Sequence, residues 1–179
     1  MAGARRPEPF ALDLRALRYH PFCMIDLSSI RRLERVGATD RAWAAFAKAG
    51  LDQDVGNDRV LTLKGRLLKD RAMALTERDM APERDALLQA AADAYCAAAA
   101  LTNDSYPRIN AAALAQLRGD RETTALLATE LLSLIDGGQH GGETPYWLEA
   151  TRAEALLLIG RVADARTSLA KAVALAPRA

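Results

Sequence analysis

Small and large apolar residues recur along this chain with one fixed spacing. Gly160 is followed five, nine and twelve positions later by Ala165, Leu169 and Ala172. The same offsets counted from Gly37 give Ala42, Phe46 and Ala49. A glycine ends a helix because it accepts the left-handed conformation. On the next helix, small residues let two backbones approach and the large residue fills the space between them. The spacing therefore predicts stacked helical hairpins.

This spacing resembles that of the tetratricopeptide repeat, whose unit has about 34 residues. The pattern predicts an all-α fold, a right-handed α-solenoid of about four helical hairpins. We expect residues 1–22 to form an N-terminal tail with a short helix, and residues 23–179 to form the repeat domain. The expected hairpins cover residues 24–54, 59–102, 105–136 and 145–177.

Composition and charge exclude several classes of protein. The net charge of +1 gives no basis for nucleic-acid binding. No apolar run approaches the roughly 20 residues of a membrane-spanning helix. Two cysteines are too few for a disulfide framework, and the first residues lack the apolar core of a signal peptide. We therefore expect a cytoplasmic protein without membrane or nucleic-acid partners.

Few residues suggest chemistry. A zinc site needs about four ligands in paired spacings, and the two histidines, His20 and His140, do not provide them. Cys23 has no evident orienting partner for nucleophilic catalysis, and Cys96 is expected to be a small packed residue among alanines. The glycine-rich stretch 136–144 is expected to be a flexible loop or lid, because no strand precedes it and no Lys-Ser/Thr follows it. We predict no catalytic residue, no cofactor and no metal ion, and hence no enzyme.

Two strings are more specific than the repeat. The first is GRLLKD at residues 65–70 and the second is SYPRINAAAL at residues 105–114. Together they resemble the tetratricopeptide-like TRAFs-binding regulatory domain of the apoptosis signal-regulating kinases, which are mitogen-activated kinase kinase kinases. YWLEATRAEALLLIG at residues 146–160 is similar to bacterial members of this group, and the resemblance extends over about residues 40–177.

The sequence departs from those kinases in two ways. Arg108 stands where the family often has glycine, and the phosphate loop, HRD and DFG motifs of a kinase are absent from the sequence. The resemblance therefore implies a regulatory scaffold next to partner-binding regions, in a stand-alone bacterial-type version, without kinase activity.

The two strings contain the first candidate site residues. Arg66 and Lys69 lie at helical spacing and are candidates for holding an acidic partner in the concave groove of the solenoid. The alternative is structural. Arg66 and Asp70 are four residues apart and can form a solvated ion pair across one helical turn, or these polar residues form a buried strut between hairpins. Asn110 lies in an otherwise apolar helix, so its amide must find partners. It either bonds to the backbone or the preceding helix, or it holds a bound peptide.

Three further candidates lie on later helices. Tyr106 and Trp147 begin helices near one end of the stack, where they form an aromatic rim for a peptide or pack within their hairpins. Glu154 lies on the helix expected to line the groove.

The leading hypothesis is a non-catalytic adaptor that binds a protein or peptide in the groove and regulates a signalling effector. Two alternatives remain: a homo-oligomerisation module, and a small-molecule sensor or enzyme.

Overall fold

The computed structural model describes residues 27–76 and 80–177. Eight α-helices follow one another in this part of the chain, and no strand occurs there. Their bounds are α1 Leu27–Arg35, α2 Thr39–Lys48, α3 Asp58–Ala74, α4 Ala81–Leu101, α5 Ser105–Leu117, α6 Arg121–Asp136, α7 Pro145–Leu158 and α8 Val162–Leu175. A short 3₁₀ turn, Leu51–Gln53, follows α2. The expectations for residues 1–22 lie outside the described residues.

The helices pack as successive antiparallel hairpins, which confirms the predicted fold class. Each helix contacts the next one in the chain, and α5 also contacts α7. The hairpin turns follow from glycine chemistry, since Gly119 and Gly160 have φ values of 78° and 79° at the ends of α5 and α7. These left-handed residues end the first helix and redirect the chain into the second.

Local sequence explains where several helices begin. The Asn57 side chain accepts hydrogen bonds from the backbone N–H groups of Arg59 and Val60, which caps α3. Pro82 and Pro145 lie in the first turns of α4 and α7, where the missing N–H has no helical partner to lose.

The hydrophobic core is divided into three clusters along the stack. The first joins α1, α2 and α3 around Phe46, the second joins α3, α4 and α5 around Tyr95, and the third joins α5 to α8 around Leu131. A solenoid is expected to have such a core, because each hairpin contacts only its neighbours.

At Gly65 the backbone of α3 lies directly against the second cluster. A Cβ atom built on Gly65 would lie 2.9 Å from Cγ and Cδ2 of the Tyr95 ring. Tyr95 is fully buried, so its ring lies directly against the backbone of α3. Gly65 is thus a close-approach residue between α3 and α4, and it fixes the position of the polar residues that follow on α3.

On the second helices of the first, second and last hairpins, a large residue lies between two small ones. This large residue is buried in the first two of these hairpins and exposed in the last one. Phe46 and Tyr95 are both 0% exposed, whereas Leu169 is 55% exposed. The first two are covered by the helices that follow their hairpins. Within the described residues no helix follows α8, which leaves Leu169 open to solvent.

Candidate functional site

The first helices of the four hairpins carry the candidate residues, and we call their shared surface the groove. It is formed by α1, α3, α5 and α7. Arg66 and Lys69 lie on α3, Tyr106 and Asn110 on α5, and Trp147 and Glu154 on α7.

A hydrogen bond joins two of these residues across the groove. The Lys69 Nζ donates to Asn110 Oδ1 at 2.9 Å, which connects the second hairpin to the third. Asn110 Nδ2 in turn donates to the backbone oxygen of Tyr106 at 2.9 Å. Lys69 also lies 5.9 Å from the centroid of the buried Tyr95 ring, a distance at which cation–π attraction operates. The amide of Asn110 is thus satisfied within the protein, while Lys69 is only partly buried and its ammonium has further protons to donate.

Arg66 forms an ion pair between hairpins, which is one of the two structural arrangements expected for it. Arg66 Nη2 lies 2.8 Å from Glu34 Oε1, so the ion pair joins α3 to α1 and does not run along α3 to Asp70. Stacking of the first hairpin on the second brings Glu34 to Arg66, and this inter-helix pair forms in place of the alternative pair within one helix.

The surroundings of Asp70 and Glu154 disfavour the ionised form of their carboxyl groups. Partial burial raises the pKa of Asp70, and the negative charge of Glu34 adds to the increase. Partial burial also raises the pKa of Glu154, although the positive charge of Lys69 opposes that change. The fourth hairpin adjoins this region, because α7 contacts α5, the helix that carries Asn110.

Of the two candidate rim aromatics, Tyr106 is part of the groove. The Tyr106 ring stands edge-on to the Tyr95 ring with 6.2 Å between centroids, and Tyr106 is 42% exposed. Trp147 packs edge-on against its neighbour Tyr146 with 4.9 Å between centroids. Trp147 is even more exposed than Tyr106. The described contacts connect Tyr106 to the Lys69–Asn110 pair and give no such connection for Trp147.

The glycine-rich segment contacts the start of α5 through Glu143. The Glu143 carboxylate accepts a hydrogen bond from the backbone N–H of Ser105 in the first turn of α5. His140 Nδ1 lies 3.8 Å from the other oxygen of Glu143. Burial alone would raise the pKa of Glu143, but its hydrogen bonds with Ser105 and with its own backbone, together with the charge of His140, lower the pKa. The segment therefore closes over the start of α5.

Other chemistry is sparse in this part of the chain. Residues 27–76 and 80–177 contain no group of three or more His, Cys, Asp or Glu residues placed to hold a metal ion. His20 and Cys23 lie outside the described residues. Cys96 is exposed, so the expectation of a packed small residue is wrong. It lies between Tyr95 and Ala97, on the side of α4 that faces away from the core.

Four groove residues escaped the sequence analysis. Arg31, Glu34 and Arg35 on α1, and Arg59 on α3, line one cavity together with Arg66 and Tyr106. Their three- and four-residue spacing on α1 is visible in the sequence, but it is also the usual pattern of a solvent-facing helix. The sequence therefore shows the charged residues of α1, but it does not show that they line a cavity with residues of α3 and α5.

Comparison with known proteins places the chain in a family. The family model described as Tetratricopeptide Repeats-Sensor matches residues 14–115, which is more than half of the 179 residues. This range contains Arg66, Lys69, Tyr106 and Asn110, and it ends before Trp147 and Glu154. Neither the curated proteins nor the solved structures compared with the chain gave a match.

The family match agrees with the helical hairpins and with the glycine turns. Repeats of this kind typically serve as non-catalytic scaffolds for protein–protein interaction. None of the helices in residues 27–76 and 80–177 is long and apolar enough to cross a bilayer. The chain belongs to the Tetratricopeptide Repeats-Sensor family of helical-repeat proteins.

Proposed function

We propose that this protein is a non-catalytic adaptor that binds a protein or peptide partner in the groove. The observation that carries the proposal is the Lys69–Asn110 pair, which lies beside the exposed ring of Tyr106. An ammonium group with unused protons, a fixed amide and an aromatic surface are a suitable set for a peptide. The aromatic ring supplies contact area, and the polar groups select the partner and its orientation.

Rigidity supports the proposal. Tyr95 lies beneath both Lys69 and Tyr106 and is fully buried against Gly65. A site whose side chains rest on a packed core loses little conformational freedom when a partner binds, which favours affinity.

The signalling role is a further part of the proposal. The family description includes a sensor. The resemblance of GRLLKD and SYPRINAAAL to the regulatory domain of the apoptosis signal-regulating kinases supports a role next to a signalling effector. Binding in the groove would then be the step that the effector responds to.

Co-purification from the native cell tests the proposal. The tagged wild-type protein is compared with an Arg66→Glu/Asn110→Ala variant, and bound proteins are quantified by mass spectrometry. Arg121→Glu on α6 is the matched control, because it reverses an exposed charge away from the groove. We expect one partner that wild type and control retain and the groove variant loses.

A thermal melt separates binding from folding. Asn110→Ala removes the acceptor of Lys69 and is expected to weaken the partner while the helical signal and the melting temperature stay close to those of the wild type. Loss of the fold in this variant would show that Asn110 is structural. A partner retained equally by all variants would place binding on another surface.

Self-association is a second candidate, favoured by the outer face of the last hairpin. Leu157, Val162, Leu169, Val173 and Leu175 are all exposed on α7 and α8. Of these, Leu157, Val162 and Leu169 line one apolar depression together with Glu154 and Arg166. A two-fold axis passing midway between Glu154 and Arg166 would set the acid of each copy beside the base of the other.

Light scattering tests this candidate. Leu169→Lys should convert a dimer into a monomer, whereas Arg121→Glu should leave it intact. A wild-type protein that remains monomeric at high concentration would remove the candidate.

A further inference from the structure

One cavity of the groove has an unusual charge balance. It measures about 650 Å³ and lies between α1 and α3, with Tyr106 of α5 at its side. Four arginines line it, namely Arg31, Arg35, Arg59 and Arg66, against the single carboxylate of Glu34. This leaves three positive charges in one cavity of a chain whose net charge is +1.

Three of the four guanidinium groups are available. Arg66 pairs with Glu34 at 2.8 Å. The side chains of Arg31, Arg35 and Arg59 are exposed, and they form no ion pair with any residue in 27–76 or 80–177. Arginine presents a planar fork of donors that matches a carboxylate or a phosphate. The cavity therefore favours a ligand with several anionic groups.

Glu34 adds a second feature. Its side chain is only 7% exposed, and its Oε2 is buried without a hydrogen-bond partner among the described residues. A buried carboxylate oxygen that receives no hydrogen bond is costly. A ligand that donates an N–H to this oxygen would remove that cost, in addition to bringing negative charge to the arginines.

The remaining lining is mixed. Leu27, Leu63 and the Tyr106 ring add apolar surface to the cavity, and Ser28 and Thr62 add hydroxyl groups. An extended acidic peptide matches all three features, because it has backbone N–H donors, carboxylate side chains and room for apolar residues between them. A phosphodiester backbone carries charge but no N–H donor, so it leaves Glu34 Oε2 unsatisfied.

We propose that this cavity binds an acidic peptide segment, with carboxylates on Arg31, Arg35 and Arg59 and a backbone N–H on Glu34 Oε2. The inference rests on the proposed function, since it specifies the chemistry of the partner that the groove binds. Exposed charge pairs weaken as salt rises, so affinity should fall steeply with ionic strength.

An array of labelled eight-residue peptides tests the inference by fluorescence anisotropy. It contains permuted acidic and apolar residues, with neutral and basic arrays of the same design beside it. We expect wild type to prefer acidic peptides, and Arg31→Gln/Arg35→Gln to bind the best of them about tenfold more weakly. Arg118→Gln/Arg121→Gln is the matched control and should bind as the wild type does.

Backbone methylation tests the role of Glu34. Methylating each peptide nitrogen of the best binder in turn should identify one position that costs about tenfold in affinity, as expected for one charge-assisted hydrogen bond. Equal tolerance at every position would contradict the Glu34 contact. A single-stranded oligonucleotide of equal charge serves as the competing polyanion, and its tighter binding would overturn the peptide assignment.

Three other results would also overturn the inference. These are no peptide binding at all, a preference for neutral or basic peptides, and equal loss in the control pair. Failure of this inference can be told apart from failure of the proposed function. If the cellular partner is lost by Arg66→Glu/Asn110→Ala and retained by Arg31→Gln/Arg35→Gln, the groove binds a partner without this cavity.

Discussion

Replacing Gly65 with alanine should destabilise this protein, although the same change in an open helix stabilises. Alanine is favoured over glycine in a helix interior by about 1 kcal/mol. At position 65, however, the new Cβ would lie 2.9 Å from two atoms of the Tyr95 ring. Tyr95 is fully buried and has no solvent side to move into.

The magnitude follows from the two opposing effects. Overpacking a well-filled core costs about 1–3 kcal/mol. After the helix-propensity gain, the free energy of unfolding should fall by about 1 kcal/mol, which corresponds to about 2–4 °C in melting temperature for a chain of this size. Urea unfolding followed by circular dichroism measures the difference directly.

The same substitution in a protein without the Tyr95 ring tests whether the ring causes the loss of stability. In a Tyr95→Leu protein the clashing ring is gone, so Gly65→Ala should change sign and stabilise by about 1 kcal/mol. If Gly65→Ala stabilises both proteins equally, the close approach of α3 to Tyr95 is wrong. The position of Lys69 and Arg66 in the groove would then lose its structural basis.

Two carboxyl groups should respond to pH in opposite ways. Burial and the charge of Glu34 raise the pKa of Asp70, so its ionised form opposes folding above its ordinary value of 3.8. Asp70→Asn should therefore be more stable than wild type at pH 7, and the two urea curves should converge as the pH falls below that value. Burial would raise the pKa of Glu143, but its hydrogen bonds and the charge of His140 together lower it, so its contribution to stability exists above the ordinary 4.5 and disappears as the pH falls through the folded-state pKa. Glu143→Gln should be less stable at pH 7 and equal to the wild type in acid; an unchanged difference across this range would contradict either assignment.

The hairpins were predictable because their determinants are local. A glycine that must be left-handed and small residues at helical spacing are visible in a single stretch of sequence, and Gly37 and Gly160 have the left-handed conformation expected of them. The exposure of Leu169 follows from the order of the helices and not from the spacing itself, because no helix follows α8 within the described residues.

The site was only partly predictable, because its contacts join distant hairpins. Lys69 and Asn110 are 41 residues apart, and the bond between Glu143 and Ser105 spans 38 residues. Arg66 has a local candidate partner in Asp70, yet stacking supplies Glu34 at 2.8 Å instead. Residue type identified which side chains require partners, while the packing of the hairpins decided which partners they found.

Photo-crosslinking in the native cell tests the central claim most directly. Tyr106 in the groove and Leu126 on α6 are each replaced by p-benzoylphenylalanine; they are 42% and 57% exposed. The account predicts a covalent adduct with another protein from position 106, lost when Arg66→Glu is added, and no such adduct from position 126. Adducts from position 126 alone, or an adduct from position 106 that persists with Arg66→Glu, would contradict binding in the groove.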